Sequence, residues 1–289
     1  MTTLLIFIIY LIAALVLSAL LFFPAFQLVN ALWEIRPDRV FYRLAMILAI
    51  LGFLPFLRLL TISNRNALGY SLHHVQFLRI FATGLVIGVM IMSVHAILLV
   101  LLGVRVPSAG VSVFSNLLAS LLSGLFSGVL VAFIEETFFR GAMQYHMRRH
   151  SSLLTTLLMT SVFYAALHFI RPPITVGTPK IDWSSGFEML AGTLYQYQNV
   201  AVFADSLVAL FFAGLLLGLV RERTGNIALC IGIHAGWVLM IKLARELTEV
   251  DHDAPMNFLI GGYDGIIGWA AAGILGLVTL AYWRYGRIK

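Results

Sequence analysis

Two adjacent glutamates and an arginine, Glu135, Glu136 and Arg140, occur in the run Val-Ala-Phe-Ile-Glu-Glu-Thr-Phe-Phe-Arg-Gly. This run ends a stretch of apolar residues that is long enough to cross a membrane. Ionised groups at membrane depth are costly, so they indicate a functional site with charged partners. Glu136 and Arg140 are i and i+4, so they share one face of a helix and can pair. Glu135 points about 100° away from Glu136, which leaves the second carboxylate for chemistry.

Two histidines also lie inside apolar segments, His168 and His234. Measured at about 1.5 Å per residue from the nearest chain break or basic cluster, Glu136 lies about 18 Å deep, His168 about 24 Å and His234 about 16 Å. The carboxylates and imidazoles could therefore converge at one level of the bilayer. A carboxylate with a histidine can hold and deprotonate a water molecule that attacks an amide carbonyl. A second imidazole can stabilise the resulting oxyanion.

The same side chains are also acceptable ligands for a divalent metal such as zinc, which would lower the pKa of a bound water. The sequence contains no HExxH motif, and its one cysteine, Cys230, lies within an apolar run. A cysteine-based metal site or a disulfide framework is therefore excluded. No cofactor is favoured, and zinc remains an alternative.

The composition indicates a polytopic helical membrane protein. Of 289 residues, 61% are hydrophobic and only 11% are charged, which excludes an ordinary soluble domain. The formal net charge is +6. In a membrane protein this excess is typical of basic cytoplasmic loops, so nucleic acid is not an expected partner.

The apolar segments predict an all-α bundle of about eight transmembrane helices, since each span needs roughly 20 apolar residues. We expect the first segment to be a span and not a cleavable signal peptide, because the first basic residue is Arg36. Prolines and aromatic residues in 171–199 predict a loop in the membrane interface. The predicted spans are 4–29, 43–60, 77–102, 114–139, 153–170, 202–220, 227–247 and 265–283, and the fourth could continue past Arg140 as one long helix.

We divide the chain into three N-terminal spans (1–110), a catalytic core of four spans (111–250), and a last span with a basic tail (251–289). Basic residues are more frequent in the loops on the side of the two termini. This bias predicts cytoplasmic termini in an inner membrane of bacterial type, with membrane lipids as partners.

Small residues recur every four positions along the fourth span, a pattern that lets another helix approach closely. The next two positions of the pattern are Glu136 and Arg140, so the ion pair is expected inside the bundle. The small residues are Ser120, Gly124, Gly128 and Ala132.

The order and spacing of the polar motifs resemble the CPBP (CAAX protease and bacteriocin-processing) intramembrane proteases, which include the type II (Rce1-like) CAAX prenyl endopeptidases. The resemblance covers about residues 117–247. It implies an eight-helix bundle with a polar cavity facing the cytoplasm, and an endopeptidase that cleaves a membrane-associated peptide or protein. The motifs are Glu135-Glu136-x-x-x-Arg140, Tyr164-x-x-x-His168 and, in a later span, His234.

The resemblance implies a role for each residue by position. Glu135 and His168 would activate the water. Glu136, paired with Arg140, would orient the site, and His234 would bind the oxyanion. A glutamate mechanism without metal is the interpretation we favour. Aromatic residues of the same segments are expected to bind substrate, namely Phe139, Tyr164 and Trp237.

Two positions depart from the family pattern, and the milder departure is Tyr164, where the family usually has phenylalanine. The family often has Asn four residues after the last histidine, whereas this chain has Val238, which cannot donate a hydrogen bond. Loss of one oxyanion donor can reduce the rate by about 10²–10³. Two hypotheses therefore follow: an active endopeptidase, or a catalytically degenerate membrane scaffold of the same fold that binds a peptide or lipid.

Overall fold

Helices form most of the computed structural model, which describes residues 2–108, 113–170 and 180–285. In this part of the chain, two short strands, β1 (Arg105–Pro107) and β2 (Thr248–Val250), pair antiparallel with Val106 opposite Glu249. The helices are α1 (Thr2–Asn30), α2 (Pro37–Leu59), α3 (His74–Leu101), α4 (Val113–Glu136), a π-helix (Thr137–Met143), α5 (Gln144–Arg148), α6 (Leu153–Leu167), α7 (Ser185–Gly192), α8 (Ala204–Thr224), α9 (Ala228–Leu247) and α10 (Trp269–Tyr285), with 3₁₀ turns at Tyr195–Phe203 and Asn257–Leu259.

Six helices among the described residues are long and apolar enough to cross a membrane. They correspond to six of the predicted spans, and the fourth does continue beyond Arg140, as the single apolar helix Leu117–Arg148. The fifth and eighth predicted spans are the shorter helices α6 and α10, with 15 and 17 residues. The prediction of an all-α, multi-pass membrane protein is confirmed.

The chain folds into two compact units, of which the first comprises Met1–Ser63 and Ala166–Val200. In this unit α1 and α2 run antiparallel, as two hydrogen bonds between them show. Ser18 donates to the carbonyl of Phe41, and Tyr10 donates to that of Ala49. The core consists of aromatic and aliphatic side chains that exclude water between these helices and α7. Its buried members are Ala19, Phe22, Phe26, Val40, Phe41 and Met189.

The second unit comprises Asn64–Ala165 and Ala201–Lys289, and in it α9 packs against both α3 and α4. The predicted small-residue stripe of α4 faces α9. A Cβ atom on Gly128 would lie 2.8 Å from the carbonyl oxygen of Ala235, and one on Gly124 would lie 3.0 Å from Leu239. Small residues thus allow the close helix contact that the sequence predicts. The three-part division at 110 and 250 stays a prediction, since these packing units are discontinuous in the chain.

The predicted interfacial loop falls partly outside the described residues, which omit 171–179. Its described part is not entirely loop, because it contains α7 and the start of a 3₁₀ turn at Tyr195. Trp183 and Tyr195 are exposed. Aromatic side chains exposed in this way are typical of a segment at the membrane surface.

Candidate active site

Glu136, the last residue of α4, is fully buried against α9. Its Oε1 accepts a hydrogen bond of 2.9 Å from Nδ1 of His234. The close approach of the two helices at Gly128 and Ala132 brings these side chains together, since Ala132 packs in one cluster with Ala235. The small-residue stripe therefore positions the carboxylate and the imidazole.

Arg140 lies on the opposite side of the Glu136 carboxylate from His234. Its Nε is 3.3 Å from Oε2 of Glu136, an ion pair whose alignment falls short of a hydrogen bond. Its Nη2 donates to the carbonyl of Gly214 on α8 at 3.1 Å, and its guanidinium carbon lies 4.6 Å from the centre of the Tyr164 ring. The guanidinium is thus held by a charge, a backbone carbonyl and an aromatic face.

The backbone between the two charged residues is a π-helix, Thr137–Met143, where the sequence predicts an uninterrupted α-helix. One side-chain contact within the helix and two from outside it accompany the difference. The Thr137 hydroxyl donates to the carbonyl of Phe133 at 2.5 Å, a bond that competes with the regular backbone ladder, and Tyr70 contacts the same hydroxyl at 2.6 Å. Arg221 donates to the carbonyl of Arg140 at 3.3 Å. Single π turns of this kind occur frequently at functional sites.

Tyr70 belongs to the segment between α2 and α3. Burial raises the pKa of its hydroxyl to about 12. The group is therefore protonated at neutral pH and keeps its hydrogen bond to Thr137.

Glu135 occupies a different environment from its neighbour. Its side chain is 28% exposed, and its Oε2 lies 4.0 Å from Nε2 of His234. The His234 ring therefore stands between two carboxylates, with Nδ1 toward Glu136 and Nε2 toward Glu135. Because the Glu136 carboxylate can only accept, Nδ1 carries a proton. Nε2 then presents a lone pair in the neutral ring, or a second N–H group in the imidazolium.

The three aromatic residues predicted to bind substrate surround this cluster. Phe139 packs edge-on against Tyr164, with ring centres 5.1 Å apart, and both are buried. The Trp237 ring lies 6.3 Å from that of His234. Within the described residues, the buried indole N–H of Trp237 has no hydrogen-bond partner. Buried N–H groups are normally paired, so this one is available to a ligand.

The other two sequence-derived positions lie elsewhere. His168 directly follows the last residue of α6, is half-buried and belongs to the first unit, so its role beside Glu135 stays a prediction. Val238 faces the α4 stripe, where its Cβ is 3.4 Å from the position of a Cβ on Gly128. Val238 therefore serves the packing of α9 on α4.

The donor set is a poor fit for a zinc ion. Across the described residues, no group of three or more His, Cys, Asp or Glu side chains is arranged to hold a metal. In addition, both oxygens of Glu136 and Nδ1 of His234 are engaged by protein partners. We therefore derive no step through a metal.

Sequence reasoning missed several residues that support the site. Gln144 donates to the carbonyl of Gly218 at 2.9 Å, one helical turn beyond the bond from Arg140 to Gly214. One signal for it was present, because Gln144 is the next position of the four-residue repeat that contains Glu136 and Arg140. Tyr70 is distant in sequence and carried no signal.

The fold and this cluster define a multi-pass membrane protein with a buried carboxylate, imidazole and guanidinium between its helices. Residues 117–240 match a family model described as type II CAAX prenyl endopeptidase Rce1-like. The match supports membership of the chain in the CPBP (Rce1-like) family and confirms the resemblance seen in the motifs. The activity of this family is CAAX-type intramembrane proteolysis, with a peptide or protein as substrate. No curated protein and no solved structure matches the chain.

Proposed function

We propose that this protein is a glutamic-type intramembrane endopeptidase in which Glu135 is the general base. The observation that carries the proposal is the position of His234 between two carboxylates of unequal burial. Both oxygens of Glu136 are engaged, by His234 and Arg140, so Glu136 orients the ring. The side chain of Glu135 is partly exposed, although Oε2, its oxygen nearest His234, is itself buried. As the base, Glu135 would take the proton of a water molecule admitted beside that oxygen.

The gap between Glu135 and His234 suits a water molecule or a substrate oxygen. An atom at a hydrogen-bond distance of about 2.8 Å from both groups can lie beside a pair of this separation. The water oxygen would bond to the carbonyl carbon while its proton passes to Glu135. The same proton would then reach the leaving amine as the C–N bond breaks, which returns Glu135 to a carboxylate.

Donors for the oxyanion are available without an asparagine at position 238. The imidazolium form of His234 can donate from Nε2 while Nδ1 stays bonded to Glu136. The unpartnered indole N–H of Trp237 is a second candidate on the same helix. His168 remains the residue that the family resemblance assigns to the water together with Glu135.

The test is a comparison of peptide termini in membrane and secreted fractions from cells that express the wild type or Glu135→Gln at matched levels. The substitution keeps the shape of the side chain and removes its basicity, so we expect termini that appear only with the wild type. Glu246→Gln, at an exposed carboxylate, is the control and should give the wild-type pattern.

An unchanged set of termini, with both proteins folded and abundant, would contradict the protease proposal. The degenerate scaffold of the same fold would then be the better hypothesis. In that case Glu135→Gln should alter the recovery of a bound peptide or protein partner instead.

A further inference from the structure

Three consecutive turns of the helix that carries Arg140 donate hydrogen bonds to three consecutive turns of α8. Each step advances four residues on both helices, so the contacts form a regular ladder between parallel helices. The ladder consists of Arg140 Nη2 to Gly214 O at 3.1 Å, Gln144 Nε2 to Gly218 O at 2.9 Å, and Arg148 Nε to Glu222 Oε1 at 3.0 Å.

The middle contact of the ladder is the buried neutral one. Gln144 is only 2% exposed, and its amide reaches a backbone carbonyl that a glycine leaves accessible. A Cβ atom on Gly218 would lie 3.4 Å from Gln144 Oε1 and 2.8 Å from Leu157. Among the described residues, Oε1 of Gln144 has no hydrogen-bond partner. An unpaired buried acceptor costs free energy, so the presence of glutamine here requires a specific reason.

The position of Gln144 in the helix supplies that reason. The π-helix ends at Met143, and Gln144 is the first residue of α5. A π turn contains an extra residue, so it changes the rotation of everything that follows it relative to what precedes it. A bond from Gln144 to α8 fixes that rotation directly after the turn, while Arg140 lies within the turn.

We propose that Gln144 is a positioning residue whose amide, through Gly218, maintains the π-helical register that holds Arg140 against Glu136. This proposal rests on the proposed protease function for its effect on catalysis. Its structural part, the register of Thr137–Met143, is independent of that function.

Gln144→Met tests the proposal, because methionine keeps the length and burial of the side chain and removes the donor. Gln76→Met is the matched control, since Gln76 is exposed on α3. Two quantities are measured: hydrogen exchange of residues 137–143 without substrate, and kcat and KM on a synthetic peptide spanning a cleavage site found by the termini comparison.

We expect faster exchange in Thr137–Met143 for Gln144→Met and no change for Gln76→Met. Since small misplacements of a catalytic group are costly, kcat should fall by about 10–100-fold with KM nearly unchanged. Gln144→His, which restores an N–H donor, should recover most of the protection and bring kcat within about threefold of the wild type.

Wild-type exchange and kcat in Gln144→Met would overturn the proposal. If Gln144→Met does not fold, the histidine variant decides: loss of protection and of kcat in that variant would assign Gln144 to packing alone. A wild type without protease activity would refute the proposed function, whereas the exchange measurement would still test the register.

Discussion

Glu135 and Glu136 are adjacent in the chain, yet the helix gives them different surroundings. Glu136 points into the contact with α9, where His234 and Arg140 engage both of its oxygens. Glu135 lies about 100° further around the helix and remains partly exposed near the other nitrogen of His234. Two carboxylates with different environments are the arrangement in which one acts as a base and the other orients the site.

Trp237 gives a prediction at the scale of a single hydrogen bond. Trp237→Phe keeps a buried aromatic ring and removes the indole N–H. If that group donates to the oxyanion, kcat should fall by about 10²-fold while KM stays nearly the same. The measurement is steady-state cleavage of the same peptide, with Trp269→Phe, at an exposed position on α10, as the control.

A structural role for Trp237 would give a different result. Lower thermal stability in Trp237→Phe, together with a kcat equal to that of the wild type and of Trp269→Phe, would remove Trp237 from the oxyanion site. Val238 could not replace it, because valine has no donor.

At this scale the sequence predicted the ion pair of Glu136 with Arg140, but it did not predict the π-helical backbone between these residues. The i, i+4 spacing identified the pairing of Glu136 with Arg140, since both lie on one local stretch of chain. The π-helix could not be predicted in this way, because the residues that contact it, Tyr70 and Arg221, come from distant segments. Gln144 occupies the next position of the same four-residue repeat, so its place on this helix face follows from the sequence.

At the scale of elements, the site depends on how closely α4 and α9 approach each other. Gly128 lies in the contact, and a Cβ at this position would meet the backbone of Ala235. Backbone atoms cannot move aside as a flexible side chain can. Any side chain at position 128 must therefore separate the helices and move His234 away from Glu136.

Gly128→Val should accordingly reduce stability and catalysis together. Overpacking of this kind destabilises by about 1–3 kcal/mol, and the separation of the site residues should reduce the cleavage rate more than tenfold. Thermal unfolding in detergent and the peptide assay measure the two effects. Gly273→Val is the control, because no atom lies within 4 Å of a Cβ at that position in α10. Equal stability and rate in the two variants would contradict this account.

At the scale of the whole second unit, the long helices alternate in direction from one to the next in chain order. Contacts of α9 show that it runs parallel to α3 and antiparallel to α4. The facing pairs are Gly84–Gly232 and Gly88–Gly236 between α3 and α9, and Gly124–Leu239 and Gly128–Ala235 between α4 and α9.

Contacts of α8 extend the alternation to the remaining helices. Helix α8 runs parallel to the helix of Arg140, antiparallel to α6 and parallel to α10. The pairs that show this are Arg140–Gly214 and Gln144–Gly218, then Leu157–Gly218 and Ser161–Gly214, then Phe212–Gly276 and Arg223–Tyr282.

This alternation explains why the sequence predicted two more spans than helix length supports. At about 1.5 Å per residue, α6 is about 22 Å long, less than the hydrocarbon thickness of about 30 Å. It nevertheless lies antiparallel to α8, between two helices that run parallel to each other, which is the direction expected of a returning crossing. The apolar pattern predicts α6 and α10 as crossings, and their packing directions agree with that prediction.

Cysteine labelling in intact cells tests this topology. In a Cys230→Ala background, single cysteines replace Ser71, Arg149, Val106 and Met256, all of them exposed positions outside the long helices. Alternating directions place the first two on one side of the membrane and the last two on the other. With cytoplasmic termini, as the distribution of basic residues predicts, an impermeant maleimide should label Val106→Cys and Met256→Cys in intact cells. It should label Ser71→Cys and Arg149→Cys only after permeabilisation.

The reversed pattern would contradict the orientation alone, whereas labelling of Arg149→Cys and Met256→Cys from the same side would contradict the alternation. In that case α4 and α8 could not be parallel crossings, and the hydrogen-bond ladder from the helix of Arg140 to α8 would be contradicted.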